Sequence, residues 1–113
     1  MISFHYTEDF RKQAKHLTKK YRSFPQDLTH LLQAISENPL IGTDLGKNVR
    51  KIRMAIASKG SGKRGGARVI TFTFITDETM TKIYFLTVYD KSEQDSISDK
   101  EIRKLLQSLF PDS

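Results

Sequence analysis

Positive side chains, rather than nucleophiles or metal ligands, have the types and spacing for chemistry in this sequence. Lys51 and Arg53 lie two apart in VRKIRMAIAS, so on a strand both leave the same face. Arg68 opens the apolar alternation of VITFTFIT, and Tyr89 and Lys91, again two apart, close KIYFLTVYDK. If neighbouring strands bring these ends together, they form a concave cationic patch suited to a phosphoryl centre. Arginine binds phosphate oxygens bidentately and lysine supplies a point charge. Both favour the extra negative charge of a pentacoordinate transition state. A crowded lysine can also give up its proton near neutrality and serve as general base. A plainer alternative stays open: Lys51 and Arg53 could be only the wet face of an amphipathic strand.

The connection KGSGKRGGAR, residues 59–68, holds four of the six glycines and four cations. Its Gly60-x-Gly62-x-x-Gly65 spacing matches a dinucleotide fingerprint in letters alone. That fingerprint needs a helix next, so that pyrophosphate sits on the helix N-terminus, and here VITFTFIT follows. A P-loop would need glycine at Ala57 and serine or threonine at Arg64. What is left is a loop between strands, with glycines that let backbone N–H groups approach phosphates. Lys59, Lys63, Arg64 and Arg68 supply its charge towards phosphates. A loop that is basic only to stay solvated is the competing reading.

Other chemistry finds little support. His5, His16 and His30 sit on separate elements and read as surface or packing residues, not as a metal site. No Gly-x-Ser-x-Gly nucleophile motif occurs, and the carboxylates make no pair on one rigid element. There is no cysteine, hence no disulfide framework and no thiolate metal site.

Length and charge narrow the class. The 113 residues suit one domain, 1–113, and 37% hydrophobic with 28% charged residues suits a soluble globular chain. No apolar run approaches the roughly 18 residues of a membrane span, and MISFHYTEDF lacks the segments of a signal peptide. A cytoplasmic protein without metal or cofactor is expected. The net charge of +6 is unevenly placed: no acid lies between Asp44 and Asp77, where eight cations do. Such asymmetry points to a polyanionic partner, nucleic acid first.

The positioning elements follow from periodicity. ISFHY alternates as an opening strand, and Thr7 caps a helix with Glu8 and Asp9 in its first turn. Phe10, Ala14, Leu17 and Tyr21 make its apolar stripe; Lys12, Lys15 and Lys19 lie on its other face as a second cationic cluster. Ser23-Phe-Pro-Gln26 reads as a capping box for a second helix, ended by Asn38-Pro39. LIGTDLGKN reads as a loop. Three strands follow, with a turn at Asp77-Glu78-Thr79, and Ser98-Asp-Lys-Glu101 caps a last helix with Ile102, Leu105, Leu106 and Leu109 inward. The expected order is β-α-α-β-β-β-α. This is an α+β domain, with a helical hairpin on a small, mainly antiparallel sheet and a C-terminal helix.

RKIRMAIASKGSGKRGGARVITFTF, followed by KIYFLTVYDKSEQDSIS, resembles the RelE/ParE superfamily of bacterial toxins, and within it the HigB-like RelE branch. The resemblance covers nearly the whole chain. It implies the same element order and a metal-independent endoribonuclease that cleaves mRNA in the ribosomal A site. It implies too that a cognate antitoxin neutralises the toxin, and that operator DNA is bound only through that antitoxin. Carried over residue by residue, the family's catalytic cations fall on Lys51, Arg53, Arg68 and Lys91. The tyrosine that some members place near the C-terminus aligns with Ile97, so Tyr89 is its candidate replacement. Two alternatives share the fold: a ParE-like toxin that inhibits gyrase, and a non-catalytic RNA-binding member.

Overall fold

The computed structural model describes residues 1–77 and 79–110. Its elements run β1 (Ile2–Tyr6), α1 (Glu8–Lys20), α2 (Phe24–Glu37), β2 (Thr43–Gly46), β3 (Val49–Met54), a single 3₁₀ turn (Ala57–Lys59), β4 (Ala67–Ile75), β5 (Thr81–Asp90) and α3 (Asp99–Leu109). The five strands form one mixed sheet in the order β1-β5-β4-β3-β2. Only β1 runs parallel to its neighbour, β5.

The architecture is α+β, with one strand more than the expected order. LIGTDLGKN is not all loop: Thr43 pairs with Lys51 and Asp44 with Arg50 to make β2. Every residue of β2 is exposed, so no apolar alternation marks it, and pairing with β3 alone makes it a strand. Lys47 and Asn48, both with positive φ, turn the chain back into β3.

Strand alternation divides the sheet into two faces. One face, with Ile52, Met54, Val69, Ile83, Phe85 and Val88, packs on Phe10 and Leu17 of α1 and on Phe24, Leu31 and Ile35 of α2. The other, with Val49, Ile70 and Leu86, packs on Ile102, Leu105, Leu106 and Leu109 of α3. Helix starts follow local chemistry at two of three places. Thr7 Oγ1 accepts from Phe10 N–H, and Ser98 Oγ from Glu101 N–H. Ser23 departs from the expected capping box: its backbone is αR and its side chain makes no cap bond. Its hydroxyl instead donates to Asp27 Oδ2 (2.7 Å) and accepts from Ser58 N–H (2.8 Å). Buried Asp27 also accepts from Ala57 N–H. The start of α2 is thereby fastened to the 3₁₀ turn that leads into the glycine-rich connection.

Of the expected turn at 77–79, Glu78 lies outside the described residues. Asp77 Oδ1 accepts from Thr79 N–H and Met80 N–H.

Candidate functional site: a cationic row across three strands

Arg53 of β3 stands opposite Arg68 of β4, and Arg68 stands opposite Tyr89 of β5. Three side chains from three strands thus leave one face in one row. Lys51, two residues before Arg53, leaves that same face one pleat further along, opposite Ile70. Lys91 follows Tyr89 by two, and its backbone N–H donates to Gly66 O (3.0 Å), which ties the end of β5 to the glycine-rich connection. This is the face that α3 covers at Val49, Ile70 and Leu86. Tyr89, 7% exposed, belongs to that covered cluster, and only Arg53 of the three stands exposed at this end of the sheet.

Members of the row differ in freedom. Arg53 is exposed and Lys51 half-buried, and neither makes a side-chain hydrogen bond or ion pair among the described residues. Arg68 is only 6% exposed. Its guanidinium donates to Lys63 O (2.9 Å), Ala67 O (3.2 Å) and Arg64 O (3.0 Å), so it both carries charge and braces the connection from beneath. Lys91 Nζ donates to Asp95 O and Oδ1, both at 2.7 Å, which holds its charge in place and draws the Asp95 carboxyl below its ordinary range. Burial raises the Tyr89 phenol above its ordinary value. Arg68 opposes that shift, while Asp95 and Glu101 add to it. At neutral pH Tyr89 is a hydrogen-bond donor, not a base.

The glycine-rich connection is compact. A Cβ on Gly66 would meet Met54 O at 2.1 Å, so glycine there lets β4 begin against the end of β3. Gly65 N–H is bonded to Ser61 O and Gly66 N–H to Lys63 O, so these amides serve the loop itself. Lys63 and Arg64 are exposed on it and carry no ion pair among the described residues. Lys59 differs: its ammonium lies 2.7 Å from Asp90 Oδ1 and 3.0 Å from Ser92 Oγ. Lys12, Lys15 and Lys19 are exposed on α1, which packs on the opposite face of the sheet, so the structure does not bring them to the row.

Asp90 is the functional neighbour that spacing did not single out. Its carboxylate is buried and accepts from the Tyr21 hydroxyl, Lys59 Nζ, Ser92 N–H (2.9 Å) and Ser92 Oγ (2.7 Å), with Lys20 Nζ at 3.4 Å. Burial alone would raise its pKa, but those bonds overrule it and hold the group far below the carboxylate range. One carboxylate thereby joins the end of α1, the 3₁₀ turn and the Lys91 turn. Its signal was legible: an acid on the inward face of a strand, two residues after Val88.

Among the described residues no group of three or more His, Cys, Asp or Glu is placed to hold a metal ion. No helix among them is long and apolar enough to cross a membrane.

Compared with known families, residues 6–109 match the model described as the RelE toxin of the RelE/RelB toxin–antitoxin system.

Proposed function

The chain belongs to the RelE toxin family, whose members pair with a cognate antitoxin, and on that premise we propose that it is a ribosome-dependent mRNA endoribonuclease of the HigB-like branch, acting in the cytoplasm without a metal. The observation that carries this reading is the cross-strand row Arg53–Arg68–Tyr89 with Lys51 one pleat away, all on one sheet face. The guanidinium charges of Arg53 and Arg68, opposite each other on adjacent strands, suit a phosphodiester that gains charge as it breaks.

In the reaction the RNA 2′-oxygen attacks the adjacent phosphorus and gives its proton to a base. The bond from phosphorus to the 5′-oxygen breaks, and that oxygen takes up a proton. The products are a 2′,3′-cyclic phosphate and a 5′-hydroxyl. The acceptor is assigned to Lys51 or Lys91, whichever presents its unprotonated amine to the 2′-hydroxyl. Lys91, steadied by Asp95, and Arg53 and Arg68 hold the phosphate oxygens. The Tyr89 phenol stacks on the nucleotide or donates to it. Lys63 and Arg64 anchor the RNA backbone, while Lys59 holds their loop through Asp90. Lys12, Lys15 and Lys19 dock ribosomal RNA from the other layer, and operator DNA is contacted only through the antitoxin.

The test is to add the purified chain to ribosomes translating a defined mRNA and to map the new ends. Breaks bearing 5′-hydroxyl and 2′,3′-cyclic phosphate ends are expected, and Arg53→Ala should suppress them. Intact mRNA together with gyrase-trapped DNA breaks would replace this reading with gyrase inhibition. Intact mRNA with salt-dependent RNA binding would leave only a binding protein.

A further inference from the structure

We propose that the open edge of β4 at Phe74 and Ile75 docks an extended, acid-flanked segment of the cognate antitoxin, which joins the sheet there as a short strand. The inference goes beyond the nuclease reading and rests on family membership alone.

Strand β4 outruns one of its neighbours. Its pairing with β3 stops at Phe72 opposite Val49, and the last bond on that side runs from Thr73 N–H to Asn48 O (2.9 Å). On the other side pairing continues to Ile75 opposite Thr81, and Thr76 N–H donates to Met80 O (3.1 Å). Backbone groups of a strand point alternately to its two sides, so Ile75 aims its N–H and C=O the same way as Thr73. No strand meets them there, because β3 is entered from β2 through the turn at Lys47 and Asn48. An unpaired strand end is a template for another chain.

Beside this edge lies a cavity of about 270 Å³. Leu40 from the connection after α2, Asp44 of β2, Asn48 and Arg50 line it together with Thr73, Phe74 and Ile75 of β4. Leu40, Phe74 and Ile75 are large apolar side chains left exposed at one place, as at an interaction surface. The Thr73 hydroxyl is buried and has no hydrogen-bond partner among the described residues. Polar backbone atoms of an added strand can supply one.

Charge selects the occupant. Arg50 is spent on Ile41 O (3.1 Å), Gly42 O (3.0 Å) and Asp44, and Asp44 in turn accepts from Gly46 N–H. Asp77 is turned onto Thr79 and Met80. Lys47, next to Asn48, and Lys82, opposite Phe74, make no side-chain hydrogen bond or ion pair among the described residues. An apolar segment with a carboxylate at either end satisfies both lysines. A second copy of this chain would set like charges together, and a nucleic-acid backbone would lie against Leu40 and Ile75. Thr73 stands five residues along β4 from Arg68, about 17 Å, so the docked segment keeps clear of Arg53 and Arg68.

Hydrogen exchange reads the edge directly. In the complex with the antitoxin co-expressed from the adjoining reading frame, exchange within residues 73–76 should slow relative to the chain alone. Ile75→Pro removes the N–H aimed at the open side and spares the bonds to β5, while Ile75→Lys sets a charge against the cavity. Ile75 is 64% exposed, so both variants should melt near the wild type. Each should weaken antitoxin binding about tenfold or more, with cleavage on ribosomes unchanged.

Unaltered exchange in the complex, with full antitoxin affinity in both variants, overturns the docking site and leaves the nuclease standing. Slowed exchange and weakened variants in a chain that cuts no mRNA support the docking site and remove the nuclease. Exchange that slows with concentration in the chain alone assigns the edge to a second copy and overturns the proposal. Variants that keep antitoxin affinity but lose cleavage assign the edge to the ribosome and overturn it too.

Discussion

The Lys59 ammonium stands 2.7 Å from Asp90 Oδ1, a carboxylate that is 1% exposed. That contact joins the glycine-rich connection to the end of β5 beneath the proposed catalytic row. Asp90→Asn leaves Lys59 without its counter-charge, and should cost about 3 kcal/mol of stability. The sign with pH follows from a folded-state pKa held below the unfolded value. The contribution is complete above the unfolded carboxylate pKa, about 3.9, and is lost as pH falls towards the folded value. Urea midpoints at pH 7 and pH 3 check this: the wild type should lose stability on acidification, and Asp90→Asn should lose less.

Gly66→Ala tests how tightly the connection is seated. The new methyl group would overlap Met54 O, a backbone atom that can yield only if β3 and β4 part. A loss of about 2 kcal/mol is expected. Cleavage should fall with it, because Gly66 O holds the Lys91 N–H. Thermal melting and a cleavage assay on the same preparation measure both; an unshifted melting temperature would contradict the close approach.

Much of this was legible from alternation and caps. Thr7 and Ser98 announce their helices because a hydroxyl there meets orphan N–H groups. Period-two spacing puts Lys51 and Arg53 on one face, but the register that sets Arg68 opposite Arg53 and Tyr89 opposite Arg68 is not written in the spacing. Other features needed the third dimension. Strand β2 carries no buried side chain, so it exists only through its partner. Ser23 has the letters of a cap but turns its hydroxyl to Asp27 and Ser58, which the fold brings beside it from 35 residues away. The same holds for charge. Lys59 looks like Lys63 in sequence, yet Asp90, 31 residues on, neutralises one and not the other.

Tyr89→Phe separates stacking from hydrogen bonding. Burial raises the phenol pKa above its usual value of 10.0, so the stability it contributes is present below the unfolded value and lost as pH rises through the folded one. The phenylalanine variant should therefore lose less stability between about pH 10 and pH 11. If the phenol donates to the nucleotide, cleavage should fall about tenfold, the worth of one hydrogen bond. Denaturation midpoints and single-turnover rates read the two effects separately. A full cleavage rate in the variant would restrict Tyr89 to stacking.

Arg53 and Arg68 face each other across one strand pair but are built into the molecule differently, and substitutions should separate charge from framework. Arg53 is exposed, with no hydrogen-bond or ion-pair partner among the described residues. Arg53→Ala should change stability by less than about 0.5 kcal/mol while cleavage collapses. Arg68 is 6% exposed and spends its guanidinium on the carbonyls of Lys63, Arg64 and Ala67. Removing it strands those carbonyls, at a cost of about 2–4 kcal/mol, and frees the loop that carries Lys63 and Arg64. Arg68→Lys is the sharper probe, because it keeps the charge and gives up the fork. A single ammonium cannot reach all three carbonyls from the same strand position. If bracing dominates, Arg68→Lys should resemble Arg68→Ala, with a lower melting temperature and faster proteolytic nicking within residues 59–66. If charge at the phosphate dominates, Arg68→Lys should retain most of the cleavage. The bracing geometry makes the first outcome the expected one, and a lysine variant that melts and cleaves like the wild type would overturn it.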